Sequence, residues 1–208
     1  MGFSGELVFG RSDRSLLEAP VFDGVREVPD AVWATGPRPG GWQTLQFRYG
    51  VLADLDEVLL PGLVECTGSA ACVASVYDSG VALVTGLGPE GERWEACLNL
   101  ELAAAIWTDV PDDVDDTSAW ADSPEFAEAV SRTRAELDAE VPGSARRAVA
   151  WARSAGLGRD IEVGTVEEVL RSREAFVEDL FTTLLDRLGF PQAPEDSDDD
   201  EEAGRNGF

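Results

Sequence analysis

The sequence predicts an α+β protein, with mainly antiparallel strands in its N-terminal half and helices in its C-terminal half. Three observations point to this class. Residues 71–98 read as three short apolar runs separated by glycine-containing turns, which is typical of a meander. Helix start signals and helical spacing dominate from residue 123 onward. With 208 residues and 44% hydrophobic residues, we expect one α+β domain over residues 1–190, with a possible subdomain junction at 109–121.

The strands are predicted from short apolar runs and from alternation of apolar with polar residues. The predicted strands are residues 6–9, 42–49, 71–77, 81–87 and 93–98. A turn at residues 38–41 precedes the second of them, and turns at 78–80 and 88–91 join the last three. Residues 86–91 match the letters G-x-G-x-x-G, but a strand pattern follows them and Pro89 lacks an N–H for a phosphate. We therefore interpret this segment as a hairpin turn.

Three apolar stretches have helical spacing. The stretch 54–64 is predicted to form a short helix that Pro61–Gly62 interrupts. A short apolar helix follows at residues 100–107. The clearest pattern is 177–188, where Val, Leu and Phe recur at i, i+3, i+4, i+7, i+8 and i+11 before a terminating glycine. This last amphipathic helix is expected to bury its apolar side in the core.

Capping residues predict three more helices between residues 123 and 171. Ser123 is an N-cap candidate, followed by a proline at the first helical position. Pro142–Gly143 is expected to end that helix, and Ser144 to cap the next one. Thr165 and Glu168 have the spacing of a capping box for a third helix.

The charge balance is strongly acidic, with 41 acidic and 16 basic residues and a formal net charge of −25. Residues 191–208 carry −6 of that charge and are predicted to form a disordered acidic tail, which leaves −19 on residues 1–190. Such a chain repels nucleic-acid phosphates and anionic lipid surfaces and attracts basic partners. We therefore expect a basic protein partner, with no binding of nucleic acid or membrane.

Two residue types are missing from the chain, since it contains no His and all 16 of its basic residues are Arg. An arginine-rich, lysine-poor composition is expected of a GC-rich genome, and a high-salt habitat also favours acidic, lysine-poor surfaces. The consequence for chemistry is the same. The chain lacks a Ser-His-Asp triad, a Cys-His pair, imidazole metal ligands, a P-loop lysine and a Schiff-base lysine. The sequence thus predicts no catalytic residue of these classes, no cofactor and no metal site.

The three cysteines, Cys66, Cys72 and Cys97, are an odd number and form no C-x-x-C pair. Their apolar surroundings predict free, buried and reduced thiols, as expected in a cytoplasmic protein. The N-terminus shows no signal-peptide pattern, and no stretch approaches 18 apolar residues.

The best candidate binding residues lie around an aspartate-rich segment that ends near a tryptophan. They are Asp109, Asp112, Asp113, Asp115, Asp116 and Trp120. An aromatic side chain flanked by acids is suited to a protein-binding hot spot. The same tryptophan can instead close a helix onto the core, which is the commoner arrangement.

The leading hypothesis is a non-enzymatic intracellular binding protein of the inhibitor or immunity type, which uses its acidic surface to engage a basic protein. One alternative is a carboxylate-dependent enzyme, a hydrolase or a Mg²⁺-dependent enzyme, that uses acids of the aspartate-rich segment or of the first helix. The acids of that helix are Asp54, Asp56 and Glu57. A second alternative is a structural or assembly protein.

Overall fold

The computed structural model describes residues 2–53, 57–111, 117–157 and 160–192. The strands in these ranges are β1 (Gly5–Arg11), β2 (Val32–Pro37), β3 (Trp42–Arg48), β4 (Ala71–Tyr77), β5 (Val81–Leu87) and β6 (Arg93–Leu98). The helices are α1 (Leu59–Thr67), α2 (Leu100–Trp107), α3 (Thr117–Ala121), α4 (Pro124–Ser154), α5 (Val163–Arg171) and α6 (Val177–Arg187). All neighbouring strands pair antiparallel in the order β2-β3-β1-β4-β5-β6, so the predicted α+β class is confirmed.

The meander is confirmed, and its three strands have the predicted bounds. The β4–β5 turn holds Asp78 and Ser79 at positive φ, 47° and 51°, which is the backbone of a type I′ hairpin turn. The G-x-G-x-x-G segment leads from β5 into β6. A Cβ at Gly86 would overlap the indole of Trp94, so this glycine makes room for a core side chain. The edge strand β2 was not predicted, because it is largely exposed and contains Gly36 and Pro37.

Both faces of the sheet are covered around β1 and β3, whereas one face of β5 and β6 is largely exposed. The C-terminal helices pack on one face, where Phe9 and Trp42 stack at 5.1 Å between ring centroids. On the other face, α1 and the residues that follow β1 bury Val8, Leu45 and Phe47. Burial on both faces explains the continuous apolar run of β1, because alternation is lost where neither face meets water.

Helix α6 joins the two halves of the chain. Its six apolar positions from Val177 to Leu188 are all buried, as the spacing predicts. Phe190, just after the helix, packs its ring against Phe9, Trp42 and Trp151 at centroid distances of 4.9, 4.7 and 5.1 Å. The helical half is therefore anchored on the N-terminal sheet.

The prediction that Pro142–Gly143 ends a helix is wrong. Helix α4 continues through both residues to Ser154. A proline inside a helix costs about 3 kcal/mol, but the turns that follow Pro142 bury several apolar side chains on the sheet. Trp151 is the largest of them, and its indole N–H donates to the carbonyl of Leu87 at 3.0 Å. Packing on the sheet therefore outweighs the local helix-breaking signal.

Two other helix starts also differ from the prediction. Helix α1 begins at Leu59 and runs through Pro61–Gly62. Pro61 lies in its first turn, where the backbone N–H has no helical partner to lose. Helix α5 begins at Val163, so Thr165 lies within its first turn, and its hydroxyl donates to the carbonyl of Glu162 at 2.8 Å. The predicted capping box is therefore wrong, whereas the Ser123 cap is confirmed by its bond from the N–H of Phe126 at 3.1 Å.

The cysteines are all free, but they differ in exposure. Cys72 is buried and Cys97 is partly buried, as expected, whereas Cys66 is exposed, which corrects the prediction of three buried thiols.

None of the helices in the described ranges combines the length and apolar character that a bilayer crossing requires. Residues 193–208, most of the predicted disordered tail, lie outside those ranges.

Candidate protein-binding surface

The described residues include two of the six candidate binding residues. Asp109 is exposed just after α2. Trp120 lies on α3, partly buried, with its ring edge-on to Phe126 at 6.0 Å, so it packs against α4. The other four, Asp112, Asp113, Asp115 and Asp116, lie outside the described residues. Whether these acids and Trp120 act together stays a prediction.

Helix α2, which leads into the aspartate-rich segment, is apolar on more than one side. Leu100, Ala103 and Ala104 are buried. The other side carries Leu102 and Ile106, one turn apart, and exposed apolar residues continue through Trp107 to Val110. Those four side chains are between 37% and 45% exposed. A surface helix normally carries polar residues on its outer side. We name these four residues the α2 surface.

The position of α2 is held at both of its ends. At the start, Asn99 adopts a φ of 61° and donates its side-chain amide to the carbonyl of Gly80 at 2.6 Å. A Cβ at Gly80 would overlap Leu102, so the helix lies directly against the β4–β5 turn. At the end, the hydroxyl of Thr108 donates to the carbonyl of Ala104 at 2.7 Å and lies 3.2 Å from the hydroxyl of Thr133 on α4. The α2 surface is therefore presented on a fixed element.

The stretch of chain that contains the α2 surface carries charge of one sign. Between Arg93 and Arg132 the chain contains no basic residue. The acidic residues in this interval are Glu95, Glu101, Asp109, Asp112, Asp113, Asp115, Asp116, Asp122, Glu125 and Glu128. Carboxylates that are not balanced by basic residues create a negative potential that attracts cationic partners.

A small cavity of about 170 Å³ adjoins this surface beside Trp107. Leu83 and Cys97 line it, and so do two carboxylate side chains, Glu95 and Glu140. Burial raises the pKa of the Cys97 thiol to about 12, with a smaller opposing effect from the positive charge of Arg134. At neutral pH this thiol is therefore protonated, which makes it a poor nucleophile.

The next feature is the arrangement of acidic and other metal-binding side chains in the described ranges. No group of three or more His, Cys, Asp or Glu side chains in those ranges is arranged to hold a metal ion. Of the acids on the predicted first helix, Asp54 and Asp56 lie outside the described ranges. Glu57 lines an open hollow between α1 and the sheet, together with Arg93.

The sequence predicted α2 as a helix but did not predict that one of its apolar sides stays exposed. The exposed apolar side could have been predicted from the lack of a polar side on this helix, since only Glu101 is charged between Leu100 and Trp107. Comparison with protein-family models, with curated proteins and with solved structures finds no match for this chain.

Proposed function

We propose that this protein is a non-enzymatic, cytoplasmic binding protein of the inhibitor or immunity type, which engages a basic protein through the α2 surface and the acidic segment beside it. One observation carries the proposal. Four exposed apolar side chains lie in an interval of the chain that holds ten acids and no base. Exposed apolar side chains in a stretch of negative charge are suited to bind a positively charged partner.

The binding mechanism follows from two ranges of interaction. The net charge of −25 attracts a basic partner over distances comparable to the Debye length, about 8–10 Å at moderate salt. Contact then buries the exposed parts of Ile106 and Trp107, which contributes less than the roughly 1.5–3 kcal/mol of burying a fully exposed side chain. The acids therefore set the association rate and its salt dependence, whereas the apolar side chains set the lifetime of the complex.

The test is affinity capture from the lysate of the native host at low salt and at about 0.5 M salt, where the Debye length falls to about 4 Å. We expect one basic protein to be retained at low salt and weakened at high salt. A variant that replaces five aspartates by asparagine should lose most of this capture. The five are Asp109, Asp112, Asp113, Asp115 and Asp116.

A matched control removes the same amount of charge from the tail. It replaces Asp196, Asp198, Asp199, Asp200 and Glu201 by their amides, so both variants have the same net charge. The proposal requires the tail variant to retain the basic protein. Equal loss in both variants would show attraction by net charge alone, and no capture by the folded wild-type protein would contradict the proposal.

A further inference from the structure

A second group of exposed aromatic residues lies apart from α2, around the N-terminus, the ends of β2 and β3, and the start of α6. Phe3, Trp33, Tyr49 and Phe176 line a shallow hollow of about 570 Å³, which we name the aromatic hollow. Trp33, Tyr49 and Phe176 are between 56% and 76% exposed, and Phe3 meets Trp33 edge-on at 6.4 Å. Exposed rings grouped in this way are uncommon on a surface that serves only solubility.

The polar group of the hollow is a carboxylate that is only half satisfied. Glu178 lines the hollow, and its Oε1 accepts a hydrogen bond from the hydroxyl of Ser79 at 2.7 Å. Its Oε2 is buried and accepts no hydrogen bond from the described residues. A buried carboxylate oxygen without a donor costs free energy, so a ligand N–H that reaches this atom would satisfy it.

Glu178 is held in place by the β4–β5 turn. The Ser79 hydroxyl, which donates to Glu178, also accepts a hydrogen bond from the N–H of Phe3 at 2.7 Å. The backbone carbonyl of Ser79 accepts a hydrogen bond from the N–H of Val177 at 2.8 Å. Asp78 accepts from the N–H of Gly2 at 2.8 Å. Two non-glycine residues at positive φ carry backbone strain, and such strain persists where surrounding contacts fix the geometry. The turn thus positions the carboxylate and the N-terminal wall of the hollow together.

The hollow already accommodates one guanidinium. The Cζ of Arg48 lies 5.2 Å from the ring centroid of Trp33, within cation–π range. Trp33 remains 64% exposed, so Arg48 leaves most of its surface open. Arg48 is itself exposed, and solvent screens its charge.

We propose that the aromatic hollow binds the guanidinium group of an arginine side chain. The planar cation stacks on the exposed rings and, as the side chains over Oε2 of Glu178 move aside, donates a charge-assisted hydrogen bond to that oxygen. A quaternary ammonium has no N–H for that oxygen, and an anion is repelled by it. The described residues that line this site include none of the α2 surface, so the two sites can be tested separately.

The experiment is an NMR titration with N-acetyl-arginine amide, followed through the indole N–H signal of Trp33. The neutral isostere N-acetyl-citrulline amide is the matched ligand. We expect a saturable shift with arginine at a dissociation constant of about 1 mM, and binding at least about tenfold weaker with citrulline. The signal is assigned as the one that disappears in Trp33→Phe.

Two variants separate the role of the carboxylate from general acidity. Glu178→Gln keeps an acceptor for the Ser79 hydroxyl and should weaken arginine binding about tenfold, whereas Asp179→Asn, which removes an exposed charge from the next residue, should leave it within about twofold. The exposed variant Trp33→Ala, which lacks the indole signal and is therefore followed through the backbone N–H signal of Glu178, should also abolish binding without a folding defect. Equal binding of citrulline, unchanged affinity in Glu178→Gln or no saturable shift would overturn the proposal and would leave the basic-partner proposal untouched.

Discussion

Helices α6 and α2 are similar in length and rich in apolar residues, but they use those residues differently. In α6, apolar side chains occupy one stripe and every one of them is buried, while acids take the other side. In α2, apolar side chains occupy two sides, and the side with Leu102 and Ile106 remains in water. Both helices are tied to the β4–β5 turn, through Val177 and Asn99 respectively.

The difference separates residues that folding buries from residues that remain available for the proposed binding. An apolar side chain stabilises the fold only to the extent that folding removes it from water. The stripe of α6 therefore contributes fully to stability, whereas Ile106, which is 45% exposed, contributes only in part. We expect mutations to divide along this line, with large losses of stability in α6 and small ones on the α2 surface.

The largest expected effect is for Phe181→Ala in α6. The Phe181 side chain is 1% exposed and lies in the core between α6 and the sheet. Its removal should lower the free energy of unfolding by about 3–5 kcal/mol, through lost burial and the remaining cavity. Urea unfolding followed by circular dichroism measures this change. A loss below about 1 kcal/mol would show that α6 is not part of the cooperative core.

A smaller effect is expected on the solvent side of the same helix. Asp186 accepts a hydrogen bond from the guanidinium of Arg38 at 2.6 Å, and that Arg38 side chain is only 3% exposed. Asp186→Ala leaves the buried cation with the carbonyl of Pro191 as an acceptor at 3.0 Å. Because Asp186 is partly exposed, we expect the free energy of unfolding to fall by about 2–3 kcal/mol, which is less than for most broken ion pairs that are fully buried. The matched variant Asp179→Asn, on the same helix, should change stability by less than about 0.5 kcal/mol.

The smallest effect concerns a surface carboxylate on α4. A hydrogen bond from Arg171 at 2.9 Å is the main cause that holds the pKa of Asp138 below its ordinary value of 3.8. The folded state therefore binds this proton less readily than the unfolded state. The stabilisation is present above the ordinary pKa and is lost as the pH falls through the lower folded pKa. The difference in stability between wild type and Asp138→Asn should shrink from pH 5 to about pH 2.5. A constant difference over that range would contradict the assignment.

Sequence patterns predicted the elements whose local signal agrees with their packing. The meander and α6 have clear turns and clear periodicity, so their bounds were predicted well. Prediction failed where tertiary packing overrides a local signal, as at Pro142 in α4, or where a strand lies at an exposed edge, as in β2. The aromatic hollow was not foreseeable, because the sheet and α6 bring together Trp33, Tyr49 and Phe176 from distant parts of the chain.

The central claim is that the exposed apolar residues of α2 serve binding and not folding. The direct measurement compares Ile106→Ser/Val110→Ser with Val28→Ser/Val58→Ser, whose side chains are 45% and 53% exposed on other parts of the surface. For each variant, affinity for the captured basic protein and the urea midpoint are determined together. We predict small and similar decreases of the midpoint for both variants, and at least about tenfold weaker binding for the α2 variant alone. Equal binding by the two variants, or a large loss of stability in the α2 variant, would contradict the claim.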